Sequence, residues 1–188
     1  MPAPIGLNIP AMTTDAEREC YYRLAKEATG LVVELGAWMG ASTAYIAAGI
    51  RDSGVDRKAL VFDKFQSKPG HIRKVKEFYS KRGINKAPIG PCLMTFQQNL
   101  GPLMEYVEPH QGQIEKLKWG KEPISVLITD APKRVPAISS VLTKFRTALQ
   151  PGSIMAWQDF CHFPSYEIPA CLYPVSYTHL TLPTTERV

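Results

Sequence analysis

Apolar and polar positions along this chain follow two periods in turn. Short unbroken apolar runs, "LVVEL" (31–35), "ALVFD" (59–63) and "ISVLITD" (124–130), suit strands buried on both faces. Around them the spacing is helical. In "TTDAERECYYRLAKEATG", Tyr21, Leu24, Ala25 and Ala28 share a face, and Thr14 stands three residues before Glu17, the spacing of a capping box. Gly30 sits where a helix C-cap belongs. "ASTAYIAAGI" reads as a helix of small residues that packs close to a sheet. "HIRKVKEFYSKRGINK" places Ile72, Val75, Phe78 and Tyr79 at i, i+3, i+6 and i+7. "CLMTFQQNLGPLMEYV" is a helix that Gly101 and Pro102 must interrupt or restart, and "EPHQGQIEKL" is the weakest strand pattern. "VPAISSVLTKFRTALQ" is a helix with Pro136 in its first turn, and "PGSIMAWQDF" supplies a turn and a fifth strand.

Strands alternating with helices predict an α/β fold: a doubly wound, mostly parallel, Rossmann-like sheet with helices on both faces. Ligands of such sheets bind beyond the carboxyl ends of the strands. Those ends here carry Glu34, Asp63, Gln113, Asp130 and Asp159, one polar rim.

Composition narrows the class. A chain of 188 residues, 45% hydrophobic and 21% charged, is the size and balance of one soluble domain. The N-terminus lacks a basic region followed by an apolar run, and no stretch approaches the roughly 18 apolar residues of a membrane span. Cys20, Cys92, Cys161 and Cys171 lie far apart, without C-x-x-C spacing, which reads as reduced thiols in a cytoplasmic protein. The net charge of +5 has its densest source in Arg73, Lys74, Lys76, Lys81, Arg82 and Lys86. An amphipathic helix with a solvated basic face explains them; the competing explanation is a patch for an anionic partner. We expect neither a nucleic-acid nor a membrane partner.

The chain divides into an N-terminal arm (1–12), a single domain (13–174) and a tail (175–188) whose "VSYTHLTLPTT" resembles the translation of a sequencing adapter. On that reading the native C-terminus and the last strands of the fold are absent. The fifth strand then lies at an open edge, and the chain is expected to self-associate, as a homodimer for example.

The chemistry concentrates in "VVELGAWMGAST" (32–43), a strand that ends on an acid and turns through glycines into a helix. A phosphate-binding P-loop needs a lysine that is missing after Gly40. A dinucleotide fingerprint needs glycine where Trp38 stands, so a nicotinamide oxidoreductase is disfavoured. The stretch resembles the first motif of class I S-adenosylmethionine-dependent methyltransferases in its E-x-G-x-x-x-G form, in the branch that includes small-molecule and sugar O-methyltransferases. The resemblance covers roughly residues 13–173. It implies that Gly36, Ala37, Trp38 and Gly40 shape a turn around the methionine part of the cofactor. The N–H groups of Ala41 and Ser42 would face its carboxylate, Glu34 its ammonium, Asp63 the ribose hydroxyls and Gln113 the adenine.

"ITDAPKR" holds Asp130-x-x-Lys133, which resembles the D-x-x-K of metal-dependent catechol and caffeoyl-coenzyme A O-methyltransferases. Carried over, Asp130 is a metal ligand close to the cofactor and Lys133 the base that takes the acceptor's proton. The acid–amide pair that completes that family's site appears here in reverse order, as Gln158-Asp159, so Asp130 and Asp159 are the expected ligands of a magnesium ion. His162 is the alternative base. The expected activity is O-methylation of a small hydroxylated or sugar-containing acceptor; the alternative is a catalytically inactive cofactor-binding domain of the same fold.

Overall fold

The computed structural model describes residues 9–66, 68–83, 92–120, 122–160 and 167–172. Thr14 opens the first helix, α1 (Asp15–Glu27), through the expected capping box: its hydroxyl accepts from Glu17 N, and the Glu17 carboxylate accepts from Thr14 N at 2.6 Å. The helix stops two residues earlier than Gly30 suggested. Ala28 is extended, and Arg57 donates to the carbonyls of Ala25 and Ala28, so side-chain capping replaces the glycine cap.

Five strands follow the expected apolar runs: β1 (Leu31–Leu35), β2 (Ala59–Asp63), β3 (Val107–Gln111), β4 (Ile124–Thr129) and β5 (Leu149–Trp157). All pair in parallel, in the order β3-β2-β1-β4-β5, so the chain winds outward from β1 in both directions. Strands β3 and β5 form the edges among the described residues. The helices between the strands are α2 (Ala41–Ser53), α3 (Pro69–Ser80), α4 (Leu93–Leu100) and α5 (Val135–Phe145). Gly101 and Pro102 do divide the fourth helical stretch, which continues past Leu100 as a 3-10 turn, Gly101–Tyr106. Pro136 lies in the first turn of α5, where its missing N–H costs nothing. "PGS", expected as a turn before β5, lies within it. Two steps along β4, Ile124 to Val126, face five along β5, Leu149 to Ile154, and Gly152 takes a φ of 89° in the resulting bulge.

Both faces of the sheet are covered. On one, Val32, Val61, Val126 and Ile128 pack with Ile46, Ile50 and Phe96; on the other, Val33, Leu35 and Leu127 pack with Val141 and Phe145. The small residues of α2 let it close on its neighbour as well as on the sheet: a Cβ on Gly49 would lie 2.3 Å from the carbonyl of Tyr22 in α1. No helix among the described residues is long and apolar enough to cross a membrane. The expected tail, 175–188, and His162 lie outside the described residues.

Candidate functional site

The carboxyl ends of the strands come level through register alone. Leu35 pairs with Phe62 and with Thr129, and Thr129 with Trp157, so the next residues, Gly36, Asp63, Asp130 and Gln158, stand side by side. Backbone bonds continue the ladder one step further: Gly36 N donates to Phe62 O, Asp130 N to Leu35 O and Gln158 N to Thr129 O, all at 2.8–3.0 Å.

The turn between β1 and α2 is wound left-handed three times. Gly36, Trp38 and Gly40 have φ of 101°, 48° and 90°. For Trp38 this is a strained conformation, and such strain persists only where surrounding contacts impose it. Asp63 imposes it. Its Oδ2 accepts from the amides of Ala37 at 2.8 Å and Trp38 at 3.0 Å, while Oδ1 accepts from Phe65 N at 2.6 Å. The space beside the two glycines is already filled by protein. A Cβ on Gly36 would lie 2.7 Å from Ala131 N, and one on Gly40 would lie 2.4 Å from Leu100 Cδ1. Glycine is required here by packing and by φ together.

A cavity of about 310 Å³ opens above this turn, in the size range of small-molecule sites. Gly36, Trp38, Asp63, Asp130 and Lys133 line it, so five of the expected residues meet there. A narrower recess beside it has Ala37, Ala41 and Ser42 on one wall and Ala11, Met12 and Thr13 on the other. Gly40, as N-cap of α2, has no side chain to satisfy the first N–H groups, which remain for an acceptor from outside the helix.

Two expected residues are elsewhere. Alternation along β1 puts Glu34 on the same face as Val32, against α2, where it is 1% exposed and accepts from Thr43 Oγ1 at 2.6 Å. Burial outweighs that hydrogen bond and pushes its pKa up to about 8, so the carboxyl is neutral at pH 7. It supports the floor of the crevice and is absent from its lining. β3 ends at Gln111, two residues before Gln113, which is exposed; Ile114 and Glu115 line the cavity on that side.

Asp130 and Asp159, the pair expected to share magnesium, instead share a cation of the chain itself. Lys133 Nζ donates to Asp130 Oδ1 at 2.5 Å and to Asp159 Oδ2. Asp159 reaches it through a left-handed backbone, φ 60°. An ammonium and a dication cannot occupy one point, and no cluster of three or more His, Cys, Asp or Glu fit for a metal occurs among the described residues. The donor set as built does not fit magnesium. Burial works against the charge on Lys133, but the two carboxylates outweigh it and hold its pKa above the ordinary lysine value. A lysine base needs the opposite shift. Burial pushes Asp130 upward against the pull of Lys133.

Sequence reading missed Met12 and His71, which also line the cavity. His71 stands edge-on to Trp38, ring centroids 6.0 Å apart. Burial, then Lys68 and Lys74, lower its pKa. The buried Trp38 Nε1 and His71 Nδ1 have no hydrogen-bond partner among the described residues. No spacing signal marked His71, because only the docking of α3 brings it to Trp38.

Residues 33–160 match the family described as a methyltransferase domain. No curated protein matches the chain. Among solved structures it is similar to the O-methyltransferase NovP, with a TM-score of 0.67 and 16% identity over 89% of this chain and 74% of that one. It is also similar to CalS11, a TDP-rhamnose 3'-O-methyltransferase of calicheamicin biosynthesis (TM-score 0.57, 15% identity, 92% of this chain and 75% of that one). A third is a SAM-dependent O-methyltransferase from Thermotoga maritima (0.52, 16%, 87% and 51%). At such identities the likeness is one of fold.

Proposed function

Because this chain belongs to the methyltransferase domain family, and is thus an S-adenosylmethionine-dependent enzyme, we propose that it methylates a hydroxyl oxygen of a small acceptor, a sugar hydroxyl among them. The observation that carries this reading is the meeting of the left-handed glycine turn, Asp63 and Asp130 in one crevice at the strand ends. The O-methyltransferases of like fold, one of them a TDP-rhamnose 3'-O-methyltransferase, support the acceptor class.

In this reading the ribose hydroxyls donate to the lone pair of Asp63 Oδ1 that the Phe65 amide leaves open. The cofactor carboxylate meets the free N–H groups at the start of α2. The acceptor oxygen attacks the sulfonium methyl in line: a C–O bond forms, the C–S bond breaks, and its electron pair stays on sulfur as S-adenosylhomocysteine. The hydroxyl proton passes to the cluster of Asp130, Lys133 and Asp159. Two carboxylates around one ammonium carry one negative charge in excess, and burial raises the pKa of Asp130 against the pull of Lys133, which suits it to take a proton. Lys133 acts as a fixed cation that aims both carboxylates.

Turnover on a panel of hydroxyl, amine and thiol acceptors tests this. Asp130→Asn is expected to lower kcat by about 100-fold or more. Methyl transfer to amines or thiols, with none to hydroxyls, would sink the proposal.

A further inference from the structure

Beside the crevice lies a second cavity of about 460 Å³, for which the reading above has no use. It shares Met12 and Trp38 with the crevice, so a molecule lodged in it reaches the edge of the cofactor site. Its far wall is one face of α3 and the turn that follows: Lys74, Phe78 and Lys81 fall at helical spacing, and Arg82 lies with its guanidinium 3.6 Å from the Phe78 ring centroid. Glu77 is the only carboxylate in the lining among the described residues, and it is shared with Arg73 outside the cavity at 3.7 Å. Lys81 and Arg82 alone are explained by the negative C-terminal end of α3, which favours cations. Lys74, about two turns back, is not, and neither is a cavity framed by all three with an indole at its mouth.

We propose that this cavity binds the anionic part of the methyl acceptor, a phosphate or pyrophosphate group, and so holds the acceptor's hydroxyl end toward the crevice beside Trp38. The proposal rests on the methyltransferase reading and names the acceptor's chemical class: a phosphorylated small molecule. Three cations around one concave surface make charge-assisted hydrogen bonds to phosphate oxygens, with Arg82 pre-set by its ring contact. The basic face of α3 is thus a functional surface rather than a solvated one.

Calorimetric titration of the full chain with inorganic pyrophosphate tests the site, and titration with S-adenosylhomocysteine tests the crevice separately. The Lys74→Ala/Lys81→Ala/Arg82→Ala variant changes exposed side chains only. It is expected to lose pyrophosphate affinity by about tenfold or more and to keep its affinity for S-adenosylhomocysteine within about twofold. Lys81→Glu, a single reversal, is expected to show the same direction in smaller measure. Equal pyrophosphate affinity in wild type and triple variant, or no pyrophosphate binding by wild type, overturns the proposal. So does an RNA oligonucleotide that binds these residues more tightly than pyrophosphate. Loss of S-adenosylhomocysteine binding by wild type, with pyrophosphate binding intact, would strike the cofactor reading and leave the anion site standing.

Discussion

Glu34, next to last in β1, and Asp63, last in β2, look alike in the sequence, yet they do different work. Glu34 points beneath the turn and holds its proton up to about pH 8, well above the ordinary 4.5. Between those values the folded chain binds a proton that the unfolded chain releases. The stability this group contributes is therefore complete below pH 4.5 and is lost as pH rises through 8. Glu34→Gln removes the titration, so its melting temperature should overtake that of wild type at pH 9 and fall less between pH 6 and 9; thermal unfolding across that range checks it. Asp63 points outward and accepts from three amides. Asp63→Ala leaves them without a charged acceptor. It is expected to cost ~2 kcal/mol in denaturant unfolding and to weaken S-adenosylhomocysteine binding by about tenfold or more. Asp63 was legible because β2 ends on it. The place of Glu34 follows from the period of two along β1, which sends it to the same side as Val32. Lys133 was legible as a crevice residue but not in its state, since its two carboxylates come from separate loops and set its charge together.

Among the elements, the β1–α2 turn carries the most constraint. Gly36→Ala meets both a left-handed φ and Ala131 N at 2.7 Å, whereas Gly54→Ala, at the end of α2, meets a left-handed φ of 69° and nothing within 4 Å. We expect ~1 kcal/mol for Gly54→Ala and ~3 kcal/mol for Gly36→Ala, the difference reflecting the clash together with the more extreme φ of Gly36. Comparable losses in the two, by denaturant unfolding, would show that Ala131 yields freely. Helix starts were easier to read than helix and strand ends. A capping box is a local hydrogen-bond pattern written within four residues, and α1 begins where Thr14 says. Its end is decided by Arg57, some thirty residues away, which no local rule contains. The same holds for β3, which stops at Gln111 where its pairing with Asp63 ends, leaving Gln113 exposed.

For the whole molecule, the crevice couples ligand to fold. The strained turn, α2 and the loop after β4 all converge on it, so a ligand that fills it should bind the folded chain alone. S-adenosylhomocysteine at a hundredfold excess over its Kd is expected to add ~2.7 kcal/mol and raise the melting temperature by roughly 5–10 °C. A shift of a degree or less at that excess, read by calorimetry, would mean that the crevice is not where it binds. The sequence by itself determined the alternation of strand and helix, the parallel sheet, the glycine turn and the acids nearest the strand ends. These depend on periodicity and on residues that are neighbours in the chain. Only the tertiary structure decided that the Lys133 ammonium lies between Asp130 and Asp159, that burial keeps Glu34 protonated, and that His71 and the cations of α3 border Trp38. Each of those relations needs at least one group distant in sequence, as Lys133 needs Asp159, and strand register, loop dihedrals and helix docking set the distances between them.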